Sequence, residues 1–494
     1  MSRKKPILFS TLLLTCVNLT LRLVSTSFQV YLSGKIGAAG IGLLQLVLSV
    51  GGMAMTAGIA GIRTATMYLT ARELGKNRPG NVAHVLSSAI LYSITCSGSI
   101  GLLLYVLAPT IAAGWIGNLQ AVNAIRLLAC FLPICCLCGV MTGYFTAANR
   151  IGTLAAVEVA EQLCSMGITM TLLALWAKSD LDKACQSVVL GSGIGACLTM
   201  LSLTVLRALE RAPKGPPVPM VRSLMDTAVP LALADDLKAG INTAENIMVP
   251  KRLALYPGAG APLAMFGAVC GMVFPILMFP AAIVFSLAEL LIPEMARCAA
   301  AGSRIRIAYL ARKSLRVVLL YGLLFFGLLY LSAEDLCLSL YQNADAAFYL
   351  ALYAPLAPML YCDAIIDAMN KGLGRQKICV RVNILTAVLD VLFLFLLLPR
   401  YGMIGYFISF LVTHLLNFIL SLILLIRTAK IPLSFKTPFL AILATLVAII
   451  LCNLITDPIA GCVSYILLFF SLLTLLGVIS RRDIFWLKGL MKAP

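Results

Sequence analysis

The sequence predicts an all-α polytopic membrane protein with about fourteen transmembrane helices, arranged as two pseudo-symmetric six-helix lobes plus two C-terminal helices. Three observations carry that reading. Of the 494 residues, 61% are hydrophobic and only 12% charged, and the mean hydropathy is +0.99. Soluble domains run at roughly 45–50% apolar and about 25% charged. Apolar stretches near the ~20 residues that a bilayer core requires recur along the chain. The basic residues also segregate: 29 of the 38 Lys and Arg fall in alternate connections and the two tails, six in the other connections, and three (Arg22, Arg126, Lys238) inside spans. This split places both termini in the cytoplasm. It also accounts for the net charge of +18 without nucleic acid.

Spans are expected near 7–31, 41–62, 82–107, 122–147, 153–176, 185–206, 223–249, 263–292, 317–335, 346–369, 382–398, 402–426, 437–456 and 459–479. The first follows Arg3, Lys4 and Lys5 as a signal peptide would. Arg22 interrupts its apolar run and no small-residue cleavage site follows, so it is read as a retained helix. The fourth contains Cys135, Cys136 and Cys138 with no His nearby, which reads as small buried hydrophobes rather than a metal site. A Pro-rich, charged segment at 207–221 separates the sixth span from the seventh. Pro275 and Pro280 predict a kink in the eighth. Trp115, Trp176 and Trp486 sit near expected interfaces, as an aromatic belt requires.

The connections are short, with no phosphate loop, nucleophile elbow or soluble carboxylate pair. His84 and His414 are isolated from one another. These features argue against an enzyme, a metal and a bound cofactor.

The expected domains are an N-terminal lobe at 1–206, the linker at 207–221, a C-terminal lobe at 222–430, and two helices with a cytoplasmic tail at 431–494. Internal similarity supports the cut. Pro133 to Arg150 and Pro358 to Arg375 repeat at an offset of 225, and Gly37-Ala38-Ala39-Gly40 matches Gly258-Ala259-Gly260-Ala261. An even number of helices per repeat keeps both repeats in the same orientation, with a cavity expected between them near the midplane.

Intramembrane polar residues usually face a bundle interior or a wet cavity. Asn18, Arg22, Ser25 and Gln29 fall on one helical face of the first span. Asp235, Lys238, Asn242 and Glu245 do the same on the seventh, with Asp236 about 100° away. Matching stripes on repeat-related spans point to a shared cavity. The bland alternative is that Asp235 and Lys238 neutralise one another. Glu158, Glu161 and Gln162 are read as ordinary groups close to the interface. Asp363 and Asp367 stack one turn apart, with Lys371 in reach of Asp367, and Asp390 lies deep in the eleventh span.

Several stretches add a family resemblance. These are Gly40-Ile41-Gly42-Leu43-Leu44-Gln45-Leu46, Gly143-Tyr144-Phe145 with Glu161-Gln162, Thr243-Ala244-Glu245-Asn246-Ile247-Met248-Val249-Pro250, and Phe279-Pro280-Ala281-Ala282. Ala354-Pro355-Leu356-Ala357-Pro358-Met359-Leu360-Tyr361, running to Lys371-Gly372-Leu373-Gly374, is the clearest, and Pro399-Arg400-Tyr401-Gly402-Met403-Ile404-Gly405-Tyr406 completes the set. Across nearly its whole length the chain resembles the stage V sporulation protein B branch of polysaccharide exporters. That branch belongs to the multidrug/oligosaccharidyl-lipid/polysaccharide exporter superfamily and is related to lipid II flippases of the MurJ type.

The resemblance implies a flippase in the bacterial cytoplasmic membrane for an undecaprenyl-diphosphate-linked saccharide, such as lipid II. Such flippases carry cavity arginines facing the diphosphate. Arg22 looks like one, the neighbouring position that is often basic is Phe28, and Arg63 lies at the cytoplasmic end of the second span. The expected cargo-binding set is then Arg22, Asn18, Ser25, Gln29, Lys238, Asn242 and Glu245. Asp235, Asp236, Glu245 and Asp390 are candidates for ion coupling, through H⁺, Na⁺ or the membrane potential. The alternatives are a cation-coupled exporter of small drugs and a non-transporting scaffold for cell-wall synthesis. Expected partners are the lipid-linked saccharide, membrane lipids and cell-wall enzymes, around a monomeric chain.

Overall fold

Two glycines divide what would otherwise be very long helices. Gly37 (φ 67°, ψ 177°) and Gly402 (φ 59°, ψ −139°) adopt backbone conformations that L side chains rarely take. In the computed structural model they split 4–59 and Gln376–Ala429 into two helices each. The structure describes residues 4–478 except 60, 76, 77, 79, 149, 178, 179, 210–220, 259, 431–435 and 456. The side chains of 4–19 and of several residues between 221 and 234 are also outside the description. The expectations for Asn18, most of the 207–221 linker, and the C-terminal tail with Trp486 therefore fall outside it.

Fourteen helical passes follow among the described residues, and no strand. They are α1 (4–36), α2 (38–59, continuing as Ile62–Gly75 past Gly61), α3 (Asn81–Thr110), α4 (Val122–Ala147), α5 (Ile151–Leu172), α6 (Leu181–Ala208) and α7 (Val221–Leu253). Then come α8 (Pro262–Met278 with Ala281–Ala300), α9 (Arg304–Leu331), α10 (Ala344–Gly372), α11 (376–401), α12 (403–429), α13 (Lys436–Cys452) and α14 (Pro458–Leu475). At least nine helices are long and apolar enough to cross a membrane. This is a membrane protein.

Most boundaries lie within a few residues of the expected spans. α2 overruns its expected end by more than a dozen residues, so Arg63 belongs to a helix rather than a loop. α9 begins at Arg304 and stops at Leu331, and a separate short helix, Ala333–Tyr341, opens with Glu334 and Asp335 in its first turn. Acidic residues there suit the positive end of a new helix. The kink expected from Pro275 and Pro280 is a 62° bend between the two pieces of α8, next to a π-helical stretch at Ala268–Val273.

The chain packs as two compact units: 1–267 with 391–406, and 268–390 with 407–494. In the first, α4 packs on α2, α3 and α6, and α7 packs along α2. Gly143 lets α4 approach α2 until a Cβ there would stand 2.5 Å from the Arg63 carbonyl oxygen. The core at the 60s end of α2 gathers Ile62, Leu69, Val85, Phe145, Leu203 and Leu224.

In the second unit, α10 packs on α8 and α9. Tyr361 donates to the Leu277 carbonyl (2.6 Å) and Tyr321 to the Pro280 carbonyl (2.8 Å), which ties down the bend of α8. α13 and α14 pack on each other and on α9, where the buried Tyr465 donates to the Leu323 carbonyl at 2.9 Å.

Candidate functional site

The polar stripe of α7 and the lower half of α2 line an open cavity of about 390 Å³ within the first unit. Its walls carry Thr56, Arg63 and Thr64 from α2 and Asp235, Lys238 and Asn242 from α7, with Ile59, Gly61 and Ala239 filling in. α7 presents these residues because steps of three and four return to one helical face. α2 presents Arg63 because the helix turns at Gly61 (φ 70°) and resumes at Ile62. A Cβ on Gly61 would overlap the Ala228 carbonyl, so the two backbones touch beside the cavity.

Further along, Thr243 donates to the Ser49 carbonyl (3.0 Å) and Asn246 to the Ser49 hydroxyl (2.9 Å). These bonds fix the rotation of α7, so Asp235 and Lys238 stay turned toward the cavity.

Two cations and one carboxylate on the wall leave an excess of one positive charge, flanked by threonine hydroxyls and an amide. Such a surface can hold an anionic group through charge-assisted hydrogen bonds while its neutral donors reach a sugar. Glu158 of α5 lies within electrostatic reach of Arg63 and of Glu161. Among the described residues no group of three or more His, Cys, Asp or Glu is arranged to hold a metal.

The sequence-predicted residues are distributed as follows. Asp235, Lys238 and Asn242 come together on the cavity wall. Asp236 turns from them and acts electrostatically on Tyr92 of α3. Glu245 is half-buried higher on α7. Arg22, Ser25 and Gln29 are half-buried on α1 and are not lining residues of this cavity. Gln162 of α5 donates to the Ser25 hydroxyl and approaches the Leu21 carbonyl (3.5 Å), fastening α5 to the turn that bears Arg22. Its neighbour Glu161 accepts from Thr199 of α6 at 2.7 Å. Asp390 is buried in the second unit.

Arg63, Thr56 and Thr64 are absent from the sequence-predicted set. The signal was the seven-residue spacing of Thr56 and Arg63, about two helical turns, masked because hydropathy ended the span at 62. In α10, Asp367 pairs with Lys371 (2.6 Å) as its spacing suggests, and Asp363 accepts from Asn417 of α12 (3.0 Å).

No protein-family profile matches the chain. It is 21% identical to stage V sporulation protein B of Bacillus subtilis (strain 168) over 484 residues, covering 94% of this chain and 91% of that protein. Among solved structures it resembles the lipid II flippase MurJ in an inward closed conformation, with a TM-score of 0.71, 12% identity, and coverage of 96% of this chain and 100% of that one. It also resembles an inward-facing multidrug resistance MATE family transporter of the MOP superfamily, with a TM-score of 0.66, 14% identity, and coverage of 84% and 99%. The resemblance read from the sequence therefore recurs in both kinds of comparison: this chain has the polytopic fold shared by MurJ and the MATE transporters, and its sequence is similar to stage V sporulation protein B.

Proposed function

We propose that this chain is an alternating-access flippase for an undecaprenyl-diphosphate-linked saccharide, lipid II or another precursor of wall or capsule polysaccharide. The observation that carries the reading is the α2–α7 cavity, whose Arg63 and Lys238 offer two cations to a diphosphate beside hydroxyl and amide groups suited to a sugar. The likeness to MurJ supports a lipid-linked cargo. No covalent chemistry is required: the cargo crosses unchanged, and the protein's work is to desolvate and re-expose its head group.

In this reading the chain sits in the bacterial cytoplasmic membrane with both termini inside, and the two six-helix repeats move against one another. Arg22 and Gln29 belong to the same cargo path on α1, beside the Ser25 hydroxyl that Gln162 occupies, with the acids serving ion coupling. It works as a monomer among membrane lipids, supplying cell-wall enzymes.

A second reading, export of cationic drugs, is favoured by Asp235, which stands exposed on the cavity wall. Reconstituted full-length protein should be assayed side by side with lipid II, a capsule-type lipid-linked sugar and a cationic dye. Movement of either lipid-linked sugar supports the flippase; movement of the dye alone overturns it.

A further inference from the structure

Of the three cations expected inside spans, Lys238 lies on the cavity wall and Arg22 on α1, while Arg126 of α4 is not among the residues lining that cavity. Arg126 stands in the second turn of α4, and its guanidinium carbon lies 5.3 Å from the centroid of the Tyr105 ring on α3. Tyr105 falls in the last turn of the third expected span. The pair therefore sits where both spans end, beside the connection at 117–121, at the level where acyl chains give way to head groups. Trp115 and Trp176 are exposed toward the same end of the helices, as an interfacial belt requires.

The surroundings of the pair are apolar and open. Leu102, Leu103 and Val106 of α3 are exposed around Tyr105, and Cys130 is exposed one turn beyond Arg126 on α4. The wall of a wet cavity carries polar groups at helical spacing, as α7 does. This face carries none, so hydrocarbon covers it.

Arg126 has no anionic partner in the protein. Its Nε is buried without a hydrogen-bond acceptor, and among the described residues no carboxylate forms an ion pair with it. Asp182 of α6 is engaged instead by Asn123, whose Nδ2 donates to its Oδ2 at 3.0 Å. A guanidinium stays charged at any physiological pH. The Tyr105 ring satisfies only its face, leaving the N–H edge to find an acceptor outside the protein. An arginine that merely snorkels extends freely to water. This one is seated on an aromatic ring, which gives its edge a fixed orientation along the lipid boundary.

A phosphodiester matches that edge in charge and in fork geometry. Its acyl chains would cover the exposed leucines and valine of α3. The free oxygen of Asp182, Oδ1, is buried, so it offers nothing to the ammonium of a zwitterionic head group.

We propose that Arg126, seated on Tyr105, binds the phosphate of an anionic phospholipid in the leaflet on the 117–121 side, with the lipid tails lying along α3. The site does not depend on the transport reading.

Native mass spectrometry of the full chain, titrated with phosphatidylglycerol, with phosphatidylcholine of the same acyl chains, and with inorganic phosphate, tests this. The first phosphatidylglycerol should bind more tightly than the first phosphatidylcholine, and inorganic phosphate should not displace it. Arg126→Ala should weaken that first binding roughly 10-fold, the effect of one charge-assisted hydrogen bond. Arg126→Lys should lose less, and Tyr105→Phe should stay near wild type because the ring face remains. Equal affinity for the two lipids, or an affinity unchanged in Arg126→Ala, overturns the site; displacement by inorganic phosphate overturns the lipid as its source. A second measurement needs no alanine variant. In phosphatidylglycerol bilayers, solid-state NMR of chain carrying ¹⁵N-arginine should show a guanidinium signal dephased by lipid ³¹P and absent in Arg126→Lys. Persistence of every such signal in Arg126→Lys overturns the proposal.

Discussion

Arg252 grips Phe395 twice over. Its Nε and Nη2 donate to the Phe395 carbonyl at 3.2 and 2.8 Å, and its guanidinium lies 3.6 Å from the centroid of the Phe395 ring. The end of α7 is thereby fixed to the outer part of α11 within the first unit. A hydrogen bond from a charged donor contributes about 1.5–3 kcal/mol and a cation–π contact about 0.5–2 kcal/mol. Arg252→Ala should cost about 2–3 kcal/mol after overlap between these contributions, read as a lower melting temperature in detergent. Arg252→Lys should recover less than half, since the planar fork is lost.

Gly402 turns α11 into α12 with its backbone in a region nearly closed to L residues, and a Cβ there would stand 2.9 Å from the Tyr256 ring. Gly37 has similar strain but open space around it. Backbone strain of this kind costs about 1–3 kcal/mol. Gly402→Ala should therefore destabilise more than Gly37→Ala, which paired thermal melts will rank. An equal or reversed order would remove the role given to Tyr256.

The cavity cations should behave as cargo ligands. Arg63→Ala or Lys238→Ala should each lower flipping of a lipid-linked diphosphate roughly 10–100-fold, the equivalent of losing one charge-assisted bond. Melting temperatures should stay near wild type, because both side chains are exposed on the cavity wall. Arg63→Lys should restore part of the activity by keeping charge without geometry. Arg22→Ala should also stop flipping. An unchanged rate in all three alanine variants would favour the drug-exporter reading.

Ser25 separates structure from cargo. Its hydroxyl already accepts from Gln162, so Ser25→Ala should lower stability by about 1 kcal/mol, as for one neutral hydrogen bond, and change cargo affinity little. Gln162→Ala should have the same effect, and the double variant should cost scarcely more than either single one. A double-mutant cycle on thermal stability measures this, with full additivity counting against the pairing.

Hydropathy, charge asymmetry and helical period determined the class of protein, the fourteen helices and the α7 stripe. These are local properties: a run of about 20 apolar residues spans a bilayer whatever its neighbours do. The Pro275 and Pro280 kink and the Asp367–Lys371 pair were legible for the same reason, since their causes lie within one helix. Tertiary structure alone decided which stripes meet. The sequence ended the second span at 62, because Arg63 reads as an interfacial charge, yet α2 runs on and carries Arg63 to Lys238 and Asp235. It gave Ser25 no partner, because Gln162 lies 137 residues away and only the packing of α5 on α1 joins them. It left Asp390 without partners, because the Ser409 and Thr413 hydroxyls that donate to it lie 19 and 23 residues away and reach it only through the phase in which α12 returns beside α11. Periodicity specifies which face of a helix is polar; the face it meets is set by packing, which has no signature in a single stretch of chain.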